Sequence, residues 1–338
     1  MSNFFGRKIF VSIGDNNSPN EAIRVGGIDS DFRIDFDIEK TRSSKSQNKS
    51  NIRIYNLDPS TRSIANLDYD RIILEFGYEG INEGQTFTLF NGKISKVTHS
   101  RQSTDIISIF ECIDGGFAYS NTPISKSYPS SSSDKDIVRD IAASMDGISI
   151  GDLSGLDLSS ANTPNRERVV FGSGMDEIEV IARNNQARAT VNNGVLDIIS
   201  NNSAKESKYI PFLNYESGLL GSPSITEKVV EFKALIQRGL EPNNFVVIED
   251  TFLGLGRQTK PSKVKPGGKV KEVSGKESPA PNPIAKIQEN SGGVFRINQV
   301  KYSGSTHSNN CEANCSAQFS DGFEVFRPVN DISPVTKV

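Results

Sequence analysis

A two-residue rhythm constrains this chain more than any other feature. In residues 31–39, DFRIDFDIE, the positions Phe32, Ile34, Phe36 and Ile38 are apolar, while Arg33, Asp35, Asp37 and Glu39 are charged. Only an extended strand sends successive side chains to opposite faces, so the pattern demands a strand with one face in a core and one in water. The same rhythm returns in residues 72–78, where Ile72, Leu74, Phe76 and Tyr78 alternate with Ile73, Glu75 and Gly77. Between the two lies a strand over 51–57, stopped by the turn cluster Asn56-Leu57-Asp58-Pro59-Ser60 and followed by a short linker. Further strands are expected over 86–90, 93–98 and 105–113. Helix signals are few before residue 120, so residues 1–118 read as an all-β barrel or sandwich. KTRSSKSQNKS, residues 40–50, has no apolar residue and reads as an exposed loop.

The composition then changes. NTPISKSYPSSSS, residues 121–133, reads as a Pro/Ser-rich linker. Ser133 can cap a helix near 134–146, with Asp134 and Asp136 at its positive end and Gly147 closing it. A second helix is expected near 174–186, beginning at Ser173. Residues 187–200 read as a hairpin whose Asn193-Gly194 pair suits a type I′ turn. Residues 119–205 are therefore a small mixed α/β region. From 206 to 338 strand signals resume at 229–236, 245–249, 294–302 and 311–319, ahead of an irregular C-terminal tail. A long polar stretch, residues 256–290, interrupts them with eight basic and three acidic residues among Pro, Gly and Ser. It is too polar to order itself unaided, so it is expected to gain order only against a partner.

The two strand-rich halves echo one another. Ile94-x-x-Val97 opens one strand pair that ends at Asp114-Gly115, and Ile297-x-x-Val300 opens another that ends at Asp321-Gly322. The echo suggests a duplicated strand pair.

Composition narrows the function. At 338 residues there is room for two or three domains. A formal charge of −3 gives no nucleic-acid footprint, so sequence-specific nucleic-acid binding is not expected. Three cysteines, Cys112, Cys311 and Cys315, are too few for a disulfide framework and fit a reducing compartment. The first 14 residues lack the apolar run of a signal peptide, and no stretch is long and apolar enough to span a membrane, so no membrane partner is expected.

The chemistry-bearing residues do not assemble into a site. His99 and His307 are the only histidines, both read as exposed strand-end residues, and no nucleophile elbow accompanies them. His307, Cys311 and Cys315 would share a helix face, but CEANCSAQF reads as a strand, where positions four apart lie about 13 Å apart. Buried small thiols are the simpler reading. Asp35, Asp37 and Glu39 are what the wet face of a strand looks like. Neither GSG at 172–174 nor GLG at 254–256 is a phosphate loop. No catalytic residue, metal or cofactor is assigned.

The order of the strand phrases carries a resemblance. I-x-I-Y-N-L at 52–57, F-G-Y at 76–78, F-x-G-x-I at 90–94, C-x-D-G at 112–115, then GLLGSPS and FRINQVKYSG, resemble the baseplate hub family of contractile-tailed, Mu-like bacteriophages. The resemblance implies a mainly β fold in which two tail-tube-like β-barrel modules, 1–118 and 206–338, flank the α/β insert. It implies a structural virion protein, assembled in the host cytoplasm, and not an enzyme. Three copies would form a ring of six barrels around a channel, adapting the sixfold tail tube to the threefold spike. Its partners would be itself as a homotrimer, the tail tube protein, the central spike protein and other baseplate proteins. Candidate partner contacts are the basic residues Lys40, Arg42, Lys45 and Lys49 in the first polar loop and Lys263, Lys265, Lys269 and Lys271 in the second. A tail tube or tube-initiator protein, with one barrel, is the first alternative. A glycan-binding receptor protein is disfavoured by the absence of Trp, and a tail-associated peptidoglycan hydrolase by the histidine count.

Overall fold

The computed structural model describes residues 4–15, 18–27, 32–43, 46–67, 69–80, 84–116, 119, 122–159, 167–205, 207, 209–226, 229–249, 292–308 and 310–319. The first part of the chain contains β1 (Arg7–Asp15), β2 (Ser18–Gly27), β3 (Ile34–Thr41), β4 (Lys49–Tyr55), α1 (Pro59–Leu67), β5 (Arg71–Tyr78), β6 (Phe87–Gln102) and β7 (Asp105–Ile113). The middle contains β8 (Pro123–Tyr128), α2 (Asp134–Ala143), β9 (Ser149–Ile150), a 3-10 turn at Ser154–Ser159, β10 (Arg168–Ser173), α3 (Gly174–Asn184), β11 (Ala187–Asn192) and β12 (Val195–Ser200). The last part contains β13 (Phe212–Leu213), β14 (Leu219–Thr226), β15 (Val229–Leu235), β16 (Phe245–Glu249), β17 (Gly292–Ser305) and β18 (Cys311–Phe319).

The alternating strands form where the rhythm places them. In β3, Ile34, Phe36 and Ile38 are buried, and in β5 Ile72, Leu74 and Phe76 are wholly inaccessible. β1 has its own alternation, Ile9, Val11 and Ile13, and pairs with β5. The two strands expected over 86–90 and 93–98 are one, β6, with a bulge after Ile94. The segment after β4, expected as a linker, is the helix α1. Asp58 caps it, its carboxylate accepting from the backbone N–H of Ser60 and Thr61 at 3.1 Å each, and Pro59 takes the first helical position, where no N–H is needed.

In the middle region, α2 starts at Ser133, whose hydroxyl accepts from the Asp136 N–H, and α3 starts after Ser173. The end of α2 lies earlier than expected, with Ser144 as its C-cap, and Gly147 belongs to the turn beyond it. The presumed linker 121–133 contains β8, which pairs with β10. The β11–β12 hairpin turns through Asn193 at φ 55° and Gly194 at φ 78°, the left-handed pair that a type I′ turn requires.

Thirteen strands join in one sheet in the order β14-β15-β18-β17-β3-β4-β7-β6-β5-β1-β2, with β16 beside the first half of β17 and β13 beside β16. The pairing of β17 with β3 makes this sheet continuous between the two strand-rich halves, and one hydrophobic cluster runs beneath both. The fold is mainly β as expected, and the path of this sheet closes on itself nowhere among the described residues. A second, separate cluster sits in the middle region.

The halves repeat one design. The hairpin β3–β4 and the strands β5, β6 and β7 lie in the order β3-β4-β7-β6-β5. The hairpin β14–β15 and the strands β16, β17 and β18 lie in the order β14-β15-β18-β17-β16. Between β6 and β17 the repeat holds residue by residue. β6 carries one extra residue between Ile94 and Lys96, and β17 carries one between Ile297 and Gln299. The Ile94 N–H donates to the Asp70 carbonyl at 2.7 Å, and the Ile297 N–H to the Asn244 carbonyl at 3.0 Å. The Ile-x-x-Val echo therefore marks a structural equivalence, bulge included.

Where β17 meets β3, Gly304 lies opposite Phe36, and a Cβ at 304 would sit 2.5 Å from the Phe36 ring and 2.9 Å from Cys311 Sγ. The ring occupies the space a side chain would need. Gly304→Val is expected to destabilise the fold by about 1–3 kcal/mol through overpacking, read as a lower urea midpoint at an unchanged slope.

Candidate functional site

The alternation that builds β3 does not stop at Ile38. Lys40 and Arg42 keep the parity of Ile34, Phe36 and Ile38, so their side chains are carried to the inner face. Lys40 is fully buried and Arg42 is 6% exposed, which removes both from the set of exposed partner contacts. The charge survives because partners are supplied from elsewhere in the chain. Lys40 Nζ donates to Asn193 Oδ1 at 3.1 Å and lies 3.6 Å from the Glu241 carboxylate. Arg42 Nε donates to Asn243 Oδ1 at 2.6 Å, and its Nη2 donates to the Ser200 carbonyl at 3.1 Å. Burial, with the nearby Arg296 and Arg188 guanidinium groups, pulls Arg42 down to about 9, which still leaves it charged at neutral pH.

Asp114, at the end of β7, completes this junction from the other side. Its carboxylate is 1% exposed and accepts from the backbone N–H groups of Asn193 at 2.6 Å and Gly194 at 2.7 Å, and from Asn48 Nδ2 at 3.1 Å. The left-handed turn aims two successive N–H groups at one carboxylate, a small anion nest. Burial pushes the Asp114 carboxyl up, opposed by Lys40 and by these donors. Asn193 Oδ1 also accepts from the Asn91 N–H at 3.1 Å. The tip of the β11–β12 hairpin is thereby plugged into the sheet beside the β17–β3 seam. Arg296 extends the contact, donating to the carbonyls of Asn201 at 2.5 Å and Ser203 at 3.0 Å. The arrangement pairs buried charges and fixes the insert on the sheet.

The outer face of the same sheet is polar and of mixed sign. Arg53 pairs with Asp37 at 3.2 Å, Lys96 with Glu111 at 3.4 Å, Lys301 with Glu39 at 3.4 Å and Lys233 with Glu312 at 3.3 Å. Each crosses between neighbouring strands, and such exposed pairs contribute at most about 1 kcal/mol apiece. The Asp35/Asp37/Glu39 row lies on this wet face. Lys49 is exposed on it, at the start of β4. Lys45, Lys263, Lys265, Lys269 and Lys271 lie outside the described residues, as does the 256–290 stretch.

His99 is a further correction. It lies within β6 and not at a strand end, and its Nδ1 shares a hydrogen bond with Ser108 Oγ at 3.0 Å. Its equivalent in the other half is Tyr302, whose hydroxyl donates to the Leu240 carbonyl in the β15–β16 connection. Burial and the Arg62 guanidinium hold the imidazole below its ordinary value. As pH falls through about 6.5 the unfolded chain takes up this proton before the folded one, so stability drops over the interval below that pH. Thermal melts between about pH 7 and pH 5 should show that decline, and His99→Gln should reduce its slope. His307 is exposed. Cys311 and Cys315 are buried strand residues of β18, and burial raises the Cys112 and Cys315 thiols well above their usual range.

Residues 19–242 match the baseplate hub gp41 family. The chain belongs to that family. It is a baseplate hub protein of contractile phages, a structural component of the virion tail. Solved structures of similar fold include a 43 kDa tail protein of prophage MuSo2 from Shewanella oneidensis, with TM-score 0.55 at 9% identity over 93% of this hub and 98% of that chain. A tail protein from Neisseria meningitidis MC58 has TM-score 0.53 at 8% identity, covering 93% and 97%. A chain of the Francisella PdpA–VgrG complex has TM-score 0.51 at 7% identity, covering 96% of the hub and 59% of its own length. At these identities the likeness is one of fold. No curated protein matches the sequence.

Proposed function

We propose that this hub works as a ring of three copies at the centre of the baseplate, adapting a sixfold tail tube to a threefold spike and forming part of the central channel. The observation behind this reading is the internal repeat: two five-strand units with the same order, the same bulge and the same flanking hydrogen bond. A chain with two like units, repeated three times, offers six similar edges to one neighbour and three identical surfaces to another. A one-unit tube protein lacks that property. The units correspond to residues 1–118 and 206–338, with 119–205 as the insert, and each would act as a tail-tube-like module. The tail tube protein, the central spike protein and other baseplate proteins are the proposed partners. Lys45, Lys49, Lys263, Lys265, Lys269 and Lys271 remain proposed contacts, whereas Lys40 and Arg42 serve the interior.

Copy number and symmetry test this. Three copies per tail, with the two units superposing about a pseudo-sixfold axis in images of the baseplate, are expected. Six copies per tail, or one, would remove the adaptor reading.

A further inference from the structure

The repeat makes a statement about two strand edges. β17 is long and has two neighbours on the side away from β18: β16 along Gly292–Arg296 and β3 along Gln299–Ser305. β6 is its equivalent, 16 residues long against 14 for β17. On the side away from β7, it pairs with β5 along Phe87–Lys93. Beyond Lys93 that side of β6, residues 96–102, pairs with no strand among those described. The equivalent of β3 is β14, which has β15 on one side and no strand on the other among the described residues. The two strands that make the seam within one chain are thus represented a second time, as two edges at separate places that no described strand covers.

We infer that these edges pair between copies: residues 96–102 of one hub accept β14 of a second hub, in the register of the internal β17–β3 seam. The inference deepens the ring reading and rests on it. Open edges with unpaired N–H and C=O groups invite uncontrolled pairing, and a neighbour's complementary edge satisfies them in a defined way. The β14 edge is also guarded. Residues 221–223 bulge out of its ladder with β15, and Pro223 within them lacks an N–H to donate. That leaves Ser224–Thr226 as the regular portion.

The register follows from the equivalences. Ile297 and Val300 correspond to Ile94 and Val97, so Lys301 and Ser303 correspond to Thr98 and Ser100. Through the β4–β7 and β15–β18 ladders, Asp37 and Glu39 correspond to Ser224 and Thr226. Ser303 faces Asp37 and Lys301 faces Glu39 in the internal seam. Between copies, Ser100 should therefore face Ser224, and Thr98 should face Thr226. All four are short hydroxyl residues on the outer, polar face, a cross-strand pairing suited to hydrogen bonding.

Cysteine pairs test the register. The double variant Ser100→Cys, Ser224→Cys, oxidised in the full chain, should form covalent dimers and trimers on a non-reducing gel that collapse on reduction, since directly opposed positions satisfy disulfide geometry. The native cysteines are all buried and do not compete. Asp37→Cys with Ser303→Cys is the internal control and should cross-link within one chain, giving no ladder. Ser100→Cys with Glu231→Cys, one strand further away, should give none either. The mass of the unmodified chain in solution is measured alongside. An oligomer that cross-links no better through Ser224 than through Glu231 overturns the proposed seam and leaves the ring standing. A monomer at every concentration, without cross-links, overturns both.

Discussion

Asp114→Ala is expected to cost the hub about 3–5 kcal/mol of stability, since three donors lose their buried acceptor and the buried Lys40 loses a nearby opposite charge. The carboxylate accepts two backbone N–H groups from the Asn193-Gly194 turn and one side-chain amide from Asn48. Without it, those donors face an apolar methyl, and Lys40, wholly buried, keeps only Asn193 Oδ1 and a more distant Glu241 carboxylate. Asp114→Asn preserves shape but turns one acceptor into a donor aimed at other donors, so it should recover only part of the loss. The loss should be localised. Urea unfolding followed by hydrogen exchange should show the β11–β12 hairpin losing protection before the sheet does. Equal loss of protection everywhere, or a change below about 1 kcal/mol, would contradict the role given to this junction.

Phe36→Ala is expected to have a similar magnitude by a different route, about 3–5 kcal/mol for an aromatic core side chain, and to prevent incorporation into tails. Phe36 is 1% exposed, stands edge-on to Phe76 with ring centroids 6.4 Å apart, and covers Gly304 across the β17–β3 seam. Removing the ring empties the space between the two halves at the point where they share a sheet. Phe36→Leu should recover much of the loss. Calorimetry on the isolated hub, together with the copy number in purified tails, checks both parts. A variant of near-native stability that still assembles would show that the seam does not depend on this ring.

Much of the sheet was legible because burial on one face leaves a period-two imprint. β3, β5, β7 and β15 to β18 fall close to where the alternation puts them, and Asn193-Gly194 announced its turn because few residues accept a left-handed backbone. β1 carried the same imprint in Ile9, Val11 and Ile13 and could have been read. α1 is masked in the sequence: Asp58-Pro59 is a helix start, but the same residues also spell a turn. β8 was hidden by its composition. In SKSYPS, Ser and Pro signal a linker, and only pairing with β10 makes a strand of it.

The candidate contacts divide on the same principle. The residue types of Lys40 and Arg42 suggested an exposed loop, yet their parity with Ile34, Phe36 and Ile38 already pointed inward. Parity is a local property and stands in the chain. Whether a buried lysine is tolerable is not local, since it depends on Asn193, Glu241 and Asp114, contributed from positions more than 70 residues away.

Local order was therefore written in the residues themselves: strand positions, inner and outer faces, the hairpin turn, and the Ile-x-x-Val echo of a repeat. Each depends on the chemistry of neighbours along the chain. Three things were not: that the halves share one sheet through β17 and β3, that the insert's hairpin tip satisfies a buried charge cluster, and that β6 and β14 have edges left open by the other described strands. These are facts about which distant backbones meet. Hydrogen bonds between main-chain groups carry no residue-type signature, so only the folded arrangement settles which strand lies beside which.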